Sequence, residues 1–240
     1  MQETYNLKAL VLNRRNFNEN DGRVAVYSLE RGKLELVVRG LKKIKSKLAG
    51  HLEPITLSSI MAVRGRQYDY AGAAVSERCY ANIKNDLEKI AAAGQALRIF
   101  NKIIKAEQAD QEIFELLKNF LDVLDEAAAR KINFELLAWL FIFKLLVKLG
   151  HKPELYYCVN CRVKILPVGM KFDLARGGLM GAECSVKIEP LNGLTISENL
   201  VKLLRLAEKN NFNKLSKIKI NNKEANQVTN IISLFLNYYA

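Results

Sequence analysis

The spacing of apolar residues changes once along this chain, near Tyr80, and that change restricts the folds open to it. From Leu7 to about Val75, apolar and polar residues alternate in five strand-length runs: LKALVL, RVAVYSL, KLELVV, ITLSSIMAV and QYDYAGAAV. Alternation puts every second side chain of a strand into a core. Gly32 in LERGKL and Gly65 in VRGRQ fall where hairpins need positive φ. Five short strands in this length suit an OB-fold, a Greek-key barrel whose exposed face commonly binds single-stranded nucleic acid.

Beyond Tyr80 the spacing is helical. Ile83, Leu87, Ile90, Leu97, Phe100 and Ile104 form one apolar stripe, and Ile113, Leu117, Phe120 and Leu124 a second. The run from Phe134 to Leu149 is apolar nearly all round, which predicts a central helix, ended by Gly150 and Pro153. Residues 153–190 read as a glycine-rich, loop-rich insert. TISE, Thr195 to Glu198, matches a capping box and opens a helix through Leu206. A last helix turns Val228, Ile231, Ile232 and Phe235 inward. The expectation is an α+β, multi-domain chain, with the barrel over residues 1–80 and a helical domain over 81–240.

Charge and composition exclude several classes. The apolar stretch Ile132 to Leu149 is broken by Glu135, Lys144 and Lys148, whereas a membrane span needs about 20 nearly uncharged residues. The start, MQETYNLKALVLNRR, lacks the basic-then-apolar order of a secretory signal, so a cytoplasmic protein is expected. Cys79, Cys158, Cys161 and Cys184 are then thiols or metal ligands in place of disulfides. The formal charge of +12 sits at the two ends: 14 basic against 8 acidic residues over 1–80, 10 against 10 over 81–150, and 13 against 7 over 151–240. Such excess suits a polyanion binder.

The densest basic run is RGLKKIKSK, with Arg39, Lys42, Lys43, Lys45 and Lys47 and no acid. Arg14, Arg15, Arg64 and Arg66 at other strand ends extend it. About 6 phosphate contacts would give a logarithmic salt slope of roughly −5 on duplex DNA and −4 on single strands. The alternative is a solvated surface loop. Tyr68 and Tyr70, two residues apart, either stack bases or fill the barrel core. RGKL lacks the Ser or Thr and the first glycine of a phosphate-binding loop. HLEP at His51 and the later Cys158–Cys161 pair lack the spacing and the proline of a zinc deaminase. No hydrolase triad is suggested by the two histidines, His51 and His151.

The ordered set ALVL plus a basic pair, END, an aromatic strand, ERGKL, RG plus the basic run, LEP, and RG resembles the RecO family of bacterial recombination mediators. The likeness is dense over some 65 residues and looser through the rest of the chain. The resemblance implies an N-terminal OB barrel and a helical domain with a zinc-finger-like insert. It implies a non-enzymatic DNA repair protein of the RecF pathway that binds single- and double-stranded DNA, anneals complementary strands, and helps load RecA onto SSB-coated DNA. The implied partners are DNA, RecR, the acidic tail of SSB and, indirectly, RecA, at the nucleoid. For the SSB tail, Arg130 and Lys131 ahead of Phe134 and Leu137 supply a cation beside an apolar surface.

The family insert commonly carries C-x-x-C, a Gly-Gly pair, and a second C-x-x-C two residues later. On that register Gly177-Gly178 puts Gly181 at the third ligand position and Cys184 at the fourth. Cys158, Cys161 and Cys184 remain, and a tetrahedral zinc would need His151, Glu183 or water to complete it. Packing alone, with the cysteines as small hydrophobes, is the other reading. Two other classes stand behind the main one: a zinc-dependent enzyme acting on nucleic acid, and a scaffold that contacts only proteins.

Overall fold

The computed structural model describes residues 3–127, 133–166, 168–188 and 193–239. Its first five strands are β1 (Thr4–Asn16), β2 (Gly22–Ser28), β3 (Gly32–Val38), β4 (Thr56–Val63) and β5 (Asp69–Arg78). They close into a barrel in the order β1-β2-β3-β5-β4. β1 is long enough to serve two neighbours, pairing with β4 through residues 4–11 and with β2 through residues 9–16. A short parallel pairing, Leu36 opposite Asp69 and Val37 opposite Tyr70, closes β3 onto β5. This is the OB-fold that the alternation predicts.

The alternation sorts the side chains as well. Leu7, Ala9 and Val11, then Val24 and Val26, then Leu34, Leu36 and Val38 enter a single barrel core with Ile60, Ala62, Ala71 and Ala74. Leu41 and Leu52, from the long loop between β3 and β4, join that core at 1% and 0% exposure. Burying each stabilises the fold by about 1.5–3 kcal/mol. Leu41 lies so close to β2 that a Cβ on Gly22 would meet its Cδ2 at 2.4 Å, so a larger residue there would force Leu41 to shift in the core. Gly32 takes the expected left-handed turn, with φ at 69°.

The spacing of residues changes at Tyr80, yet the contacts do not thin out there. Helices α1 (Ala81–Lys84), α2 (Leu87–Ile103) and α3 (Gln111–Glu126) belong with the barrel in one compact unit, Met1–Glu126, and the second unit is Ala127–Ala240. Tyr27 of β2 stands edge-on to Phe100 at 5.0 Å and stacks on Phe114 at 6.5 Å. Lys33 of β3 sends its ammonium to the carbonyls of Asn101 and Ile104 at the end of α2. Arg78 and Tyr80 both reach Asp122 of α3, at 2.9 and 3.1 Å.

The stripe expected through Ile83 to Ile104 is interrupted. Asp86 accepts hydrogen bonds from the Glu88 and Lys89 N–H groups and starts a new helix. The restart resets the helical phase, leaving Leu87 and Ile90 at 87% and 40% exposure. Ala92, Ala93, Ala96, Leu97 and Phe100 form the buried face instead. The second stripe, Ile113, Leu117, Phe120 and Leu124, is buried as its spacing predicts.

In the second unit α4 (Phe134–Lys148) is buried on most sides and packs against α6 (Glu198–Lys209) and α8 (Asn222–Tyr239). The short α7 (Phe212–Leu215) lies between the last two in sequence. The insert contributes β6 (Lys171–Asp173), β7 (Gly178–Met180) and α5 (Ala182–Lys187), and β8 (Gly193–Thr195), just beyond it, completes a sheet ordered β7-β6-β8. The capping box expected at Thr195 is displaced: Thr195 ends β8, and Ser197 caps α6 by accepting from Leu200 N–H. Pairing of Thr195 with Lys171 holds it extended and moves the helix start onward. Among the described residues no helix is long and apolar enough to cross a membrane.

Candidate nucleic-acid interface and cysteine cluster

The barrel strands bring three loops together. Lys42 N–H donates to Asn20 O at 3.0 Å, joining the β3–β4 loop to the β1–β2 loop, and Gly40 N–H reaches the Asp21 carboxylate at 2.8 Å. Phe17 of the β1–β2 loop meets Tyr68 of the β4–β5 loop edge-on at 5.6 Å. Leu41 and Leu52 pin the basic loop in the core, Leu48 and Ala49 pack against it, and residues 42–47 stand largely in solvent. Lys42, Lys43, Lys45 and Lys47 are exposed, and none has a carboxylate within ion-pair distance among the described residues. Ile44 at the centre of this run is fully exposed.

The arginines divide into paired and unpaired ones. Arg39 lies over Tyr70, its guanidinium carbon 4.6 Å from the ring centre. Arg14 donates to Ala49 O at 3.5 Å, and Arg66 is exposed. Arg64 is matched by Glu3 at 2.8 Å, and Arg15 by Glu35. Arg15 stands opposite Arg23 across β1 and β2, and Glu35 on β3 answers both charges, 3.7 Å from Arg23. Without that carboxylate two like charges would face each other across adjacent strands.

Tyr68 and Tyr70 are outside the barrel core, whose β5 members are Ala71 and Ala74. Tyr68 precedes β5 and is 39% exposed; Tyr70 is half-buried as its second residue. Sequence spacing overlooked Phe17 and Arg23. The Arg23 guanidinium carbon is 4.3 Å from the centre of the Phe17 ring and 4.3 Å from that of Tyr68. The signal available was a lone arginine opening an otherwise apolar strand, GRVAVYS.

Of the four residues expected to take an acidic tail, Arg130 and Lys131 lie outside the described residues. Phe134 and Leu137 are 3% and 2% exposed, so their side chains are spent on helix packing.

In the insert, the Sγ atoms of Cys158, Cys161 and Cys184 lie within 4.8 Å of one another. Zinc–sulfur bonds of about 2.3 Å in a tetrahedron place sulfurs about 3.8 Å apart, so these three donors fit zinc with a small adjustment. Burial pushes the Cys158 thiol up, but N–H groups of Cys161, Gly181 and Asn160 outweigh it and bring the value down to about 7. Gly181, at the position of the missing cysteine, donates its N–H to Cys158 Sγ at 3.4 Å. No His, Asp or Glu joins the cluster among the described residues; His151 packs near Tyr239, ring centres 5.6 Å apart. A cleft of about 330 Å³ borders the thiols, walled by Val163, Ile165, Leu166 and Val168. Cys79 is exposed and belongs to the other unit. His51 bonds Ser76 through Nδ1, at 3.0 Å to the hydroxyl and 3.2 Å to the N–H, which gives HLEP a structural role in the barrel.

Two family models match the chain, and they meet near Tyr80, where the residue spacing changes, and not at Glu126. Residues 1–75 match the family model described as Recombination protein O N terminal, and residues 84–240 the one described as Recombination protein O C terminal. The chain is 27% identical to a DNA repair protein RecO from Desulforamulus reducens, over 98% of this chain and 89% of that protein. It is 29% identical to one from Dehalococcoides mccartyi, over 90% of this chain and 83% of the relative. A third, from an Anaeromyxobacter species, is 31% identical over 84% of this chain and 78% of its own length.

Proposed function

The chain belongs to the RecO family of DNA repair proteins, and from that premise we propose that it is a non-catalytic mediator that holds DNA by its phosphates at the loop end of the barrel. The observation that carries this reading is the basic loop: four exposed lysines without carboxylate partners, fixed at both ends by buried leucines. In this reading Arg39 belongs to the same patch, Arg14, Arg15, Arg64 and Arg66 at other strand ends extend it, and Tyr68 and Tyr70 offer ring faces to unpaired bases. Cations that meet phosphate and release counterions bind single- and double-stranded DNA with little regard to sequence.

Annealing follows from the same electrostatics. A surface that neutralises phosphates on one strand lowers the repulsion felt by its complement, and paired bases then leave the stacking tyrosines. In this reading the protein works at the nucleoid in the cytoplasm, with RecR and the acidic tail of SSB as partners, and helps load RecA onto SSB-coated strands. Arg130 and Lys131 are the cations proposed for the tail. A zinc held by Cys158, Cys161 and Cys184 would cross-link the two arms of the insert, with its fourth position filled from solvent.

Equilibrium binding to single-stranded DNA across a salt series tests the central claim. The expected result is tight binding at low salt that weakens steeply as salt rises. Absence of binding at low salt overturns the reading and leaves the protein-only scaffold.

A further inference from the structure

We infer that Phe17 and Arg23 are positioning residues that turn Tyr68 into a platform for one unpaired base. Phe17, Arg23 and Tyr68 thus form a subsite that favours single strands over duplex. This rests on the barrel end being the DNA-binding surface, and adds to it a part that works by stacking in place of charge.

The guanidinium of Arg23 sits in the corner of two aromatic rings, 4.3 Å from each centre. The rings meet at an interplanar angle of 76°, so a flat cation in their corner can lie along one ring and turn its N–H edge toward the other. A guanidinium offers that flat face and N–H edge together, whereas the Lys ammonium is a compact, strongly hydrated charge with no flat face to lie on a ring. Phe17 comes from the loop after β1 and Tyr68 from the loop before β5, so Arg23 ties together segments about 50 residues apart in sequence. Its Nε is buried without a hydrogen-bond partner, and Glu35 approaches its Nη1 at 3.7 Å. The side chain is only 25% exposed. It is therefore held between rings and a carboxylate, away from the phosphates that the lysine loop would meet.

Tyr68 keeps 39% of its surface open. One face is backed by Arg23, so a base that stacks does so on the remaining ring surface, against a side chain that is already ordered. Ordering before binding removes part of the entropic cost of stacking. A base inside a duplex has its faces occupied by neighbours and gains nothing from the platform. The lysine loop, in contrast, acts on both forms of DNA.

The two contributions separate by salt dependence. Arg23→Lys keeps the charge and Phe17→Leu carries none, and both residues lie outside the barrel core. Each variant should lose about five- to ten-fold in affinity for single-stranded DNA, with an unchanged logarithmic salt slope. Each should also lose the fluorescence quenching of a 2-aminopurine placed in the single strand, while duplex affinity is retained. Tyr68→Phe should keep the quenching, because the ring suffices.

Three results would overturn the inference: quenching that survives in both Arg23→Lys and Phe17→Leu, an equal loss on duplex DNA, or a salt slope reduced in Phe17→Leu. The parent reading fails differently. In that case Lys42, Lys43 and Lys45→Ala leaves the salt slope of binding as it was, whatever happens at the platform.

Discussion

Replacing Lys42, Lys43 and Lys45 together by Ala isolates the electrostatic part of DNA binding. All three side chains are exposed, and their loop is held by Leu41 and Leu52, which the substitutions leave in place. Substitutions at such surface sites usually change stability by less than about 0.5 kcal/mol each, so the barrel should melt near its original temperature. If each lysine meets one phosphate, the single-strand salt slope loses about 0.7 per contact, or roughly 2 units for three. A change of 2.1 units means that the ratio of wild-type to variant affinity grows about 18-fold as salt falls from about 200 to 50 mM. Fluorescence anisotropy with a labelled oligonucleotide over that range measures it. A variant that binds more weakly by the same factor at every salt concentration would refute the argument, since that pattern belongs to lost packing or stacking.

Three further outcomes follow from other parts of the chain. Lys33→Ala leaves the Asn101 and Ile104 carbonyls at the end of α2 without their cation and should destabilise the first unit by about 1–2 kcal/mol, read by urea unfolding; an unchanged midpoint would contradict the bridging role. Burial acts to raise the Glu154 carboxyl, but N–H bonds from Tyr156 and Tyr157 and the charges of Arg162 and Lys152 hold it below its ordinary value. Its stabilisation of the insert is thus complete above the unfolded-state value and is lost as pH falls through the folded one. Protection of the Tyr156 and Tyr157 amides relative to their intrinsic exchange rates should fall there, and Glu154→Gln should abolish that pH dependence. Cobalt(II) added to metal-free protein should give thiolate charge-transfer absorption that Cys184→Ser reduces, with visible bands that shift when imidazole enters the fourth position; bands indifferent to imidazole would mean a fourth protein donor.

Much of the barrel was legible because alternation is local. A strand with one buried face repeats its pattern every two residues, and Leu34, Leu36 and Val38 declare their side of β3 without reference to any other element. The basic loop was legible for the same reason, since RGLKKIKSK needs no partner to be recognised. The three thiols were also found by register against Gly177-Gly178, and the fold brings all three together. The grouping of α1–α3 with the barrel was less accessible. It depends on Tyr27 meeting Phe100 and Phe114 and on Lys33 meeting the end of α2, contacts that span some 70 to 90 residues and leave no periodic trace.

The Phe17, Arg23 and Tyr68 corner marks the limit more sharply. Arg23 and Arg15 become neighbours only when β1 and β2 are paired in one register, and Glu35 becomes their counter-ion only when β3 is added. A slip of one residue in either pairing would send these side chains to opposite faces and dissolve the arrangement. Arg23 in the sequence is one more positive charge and would be counted toward phosphate binding. In the fold it faces a carboxylate and two rings, so it should contribute to binding without contributing to the salt slope. If the barrel binds DNA as proposed, net charge therefore overstates the number of phosphate contacts, and the excess is the part of the charge that the structure uses to hold its loops.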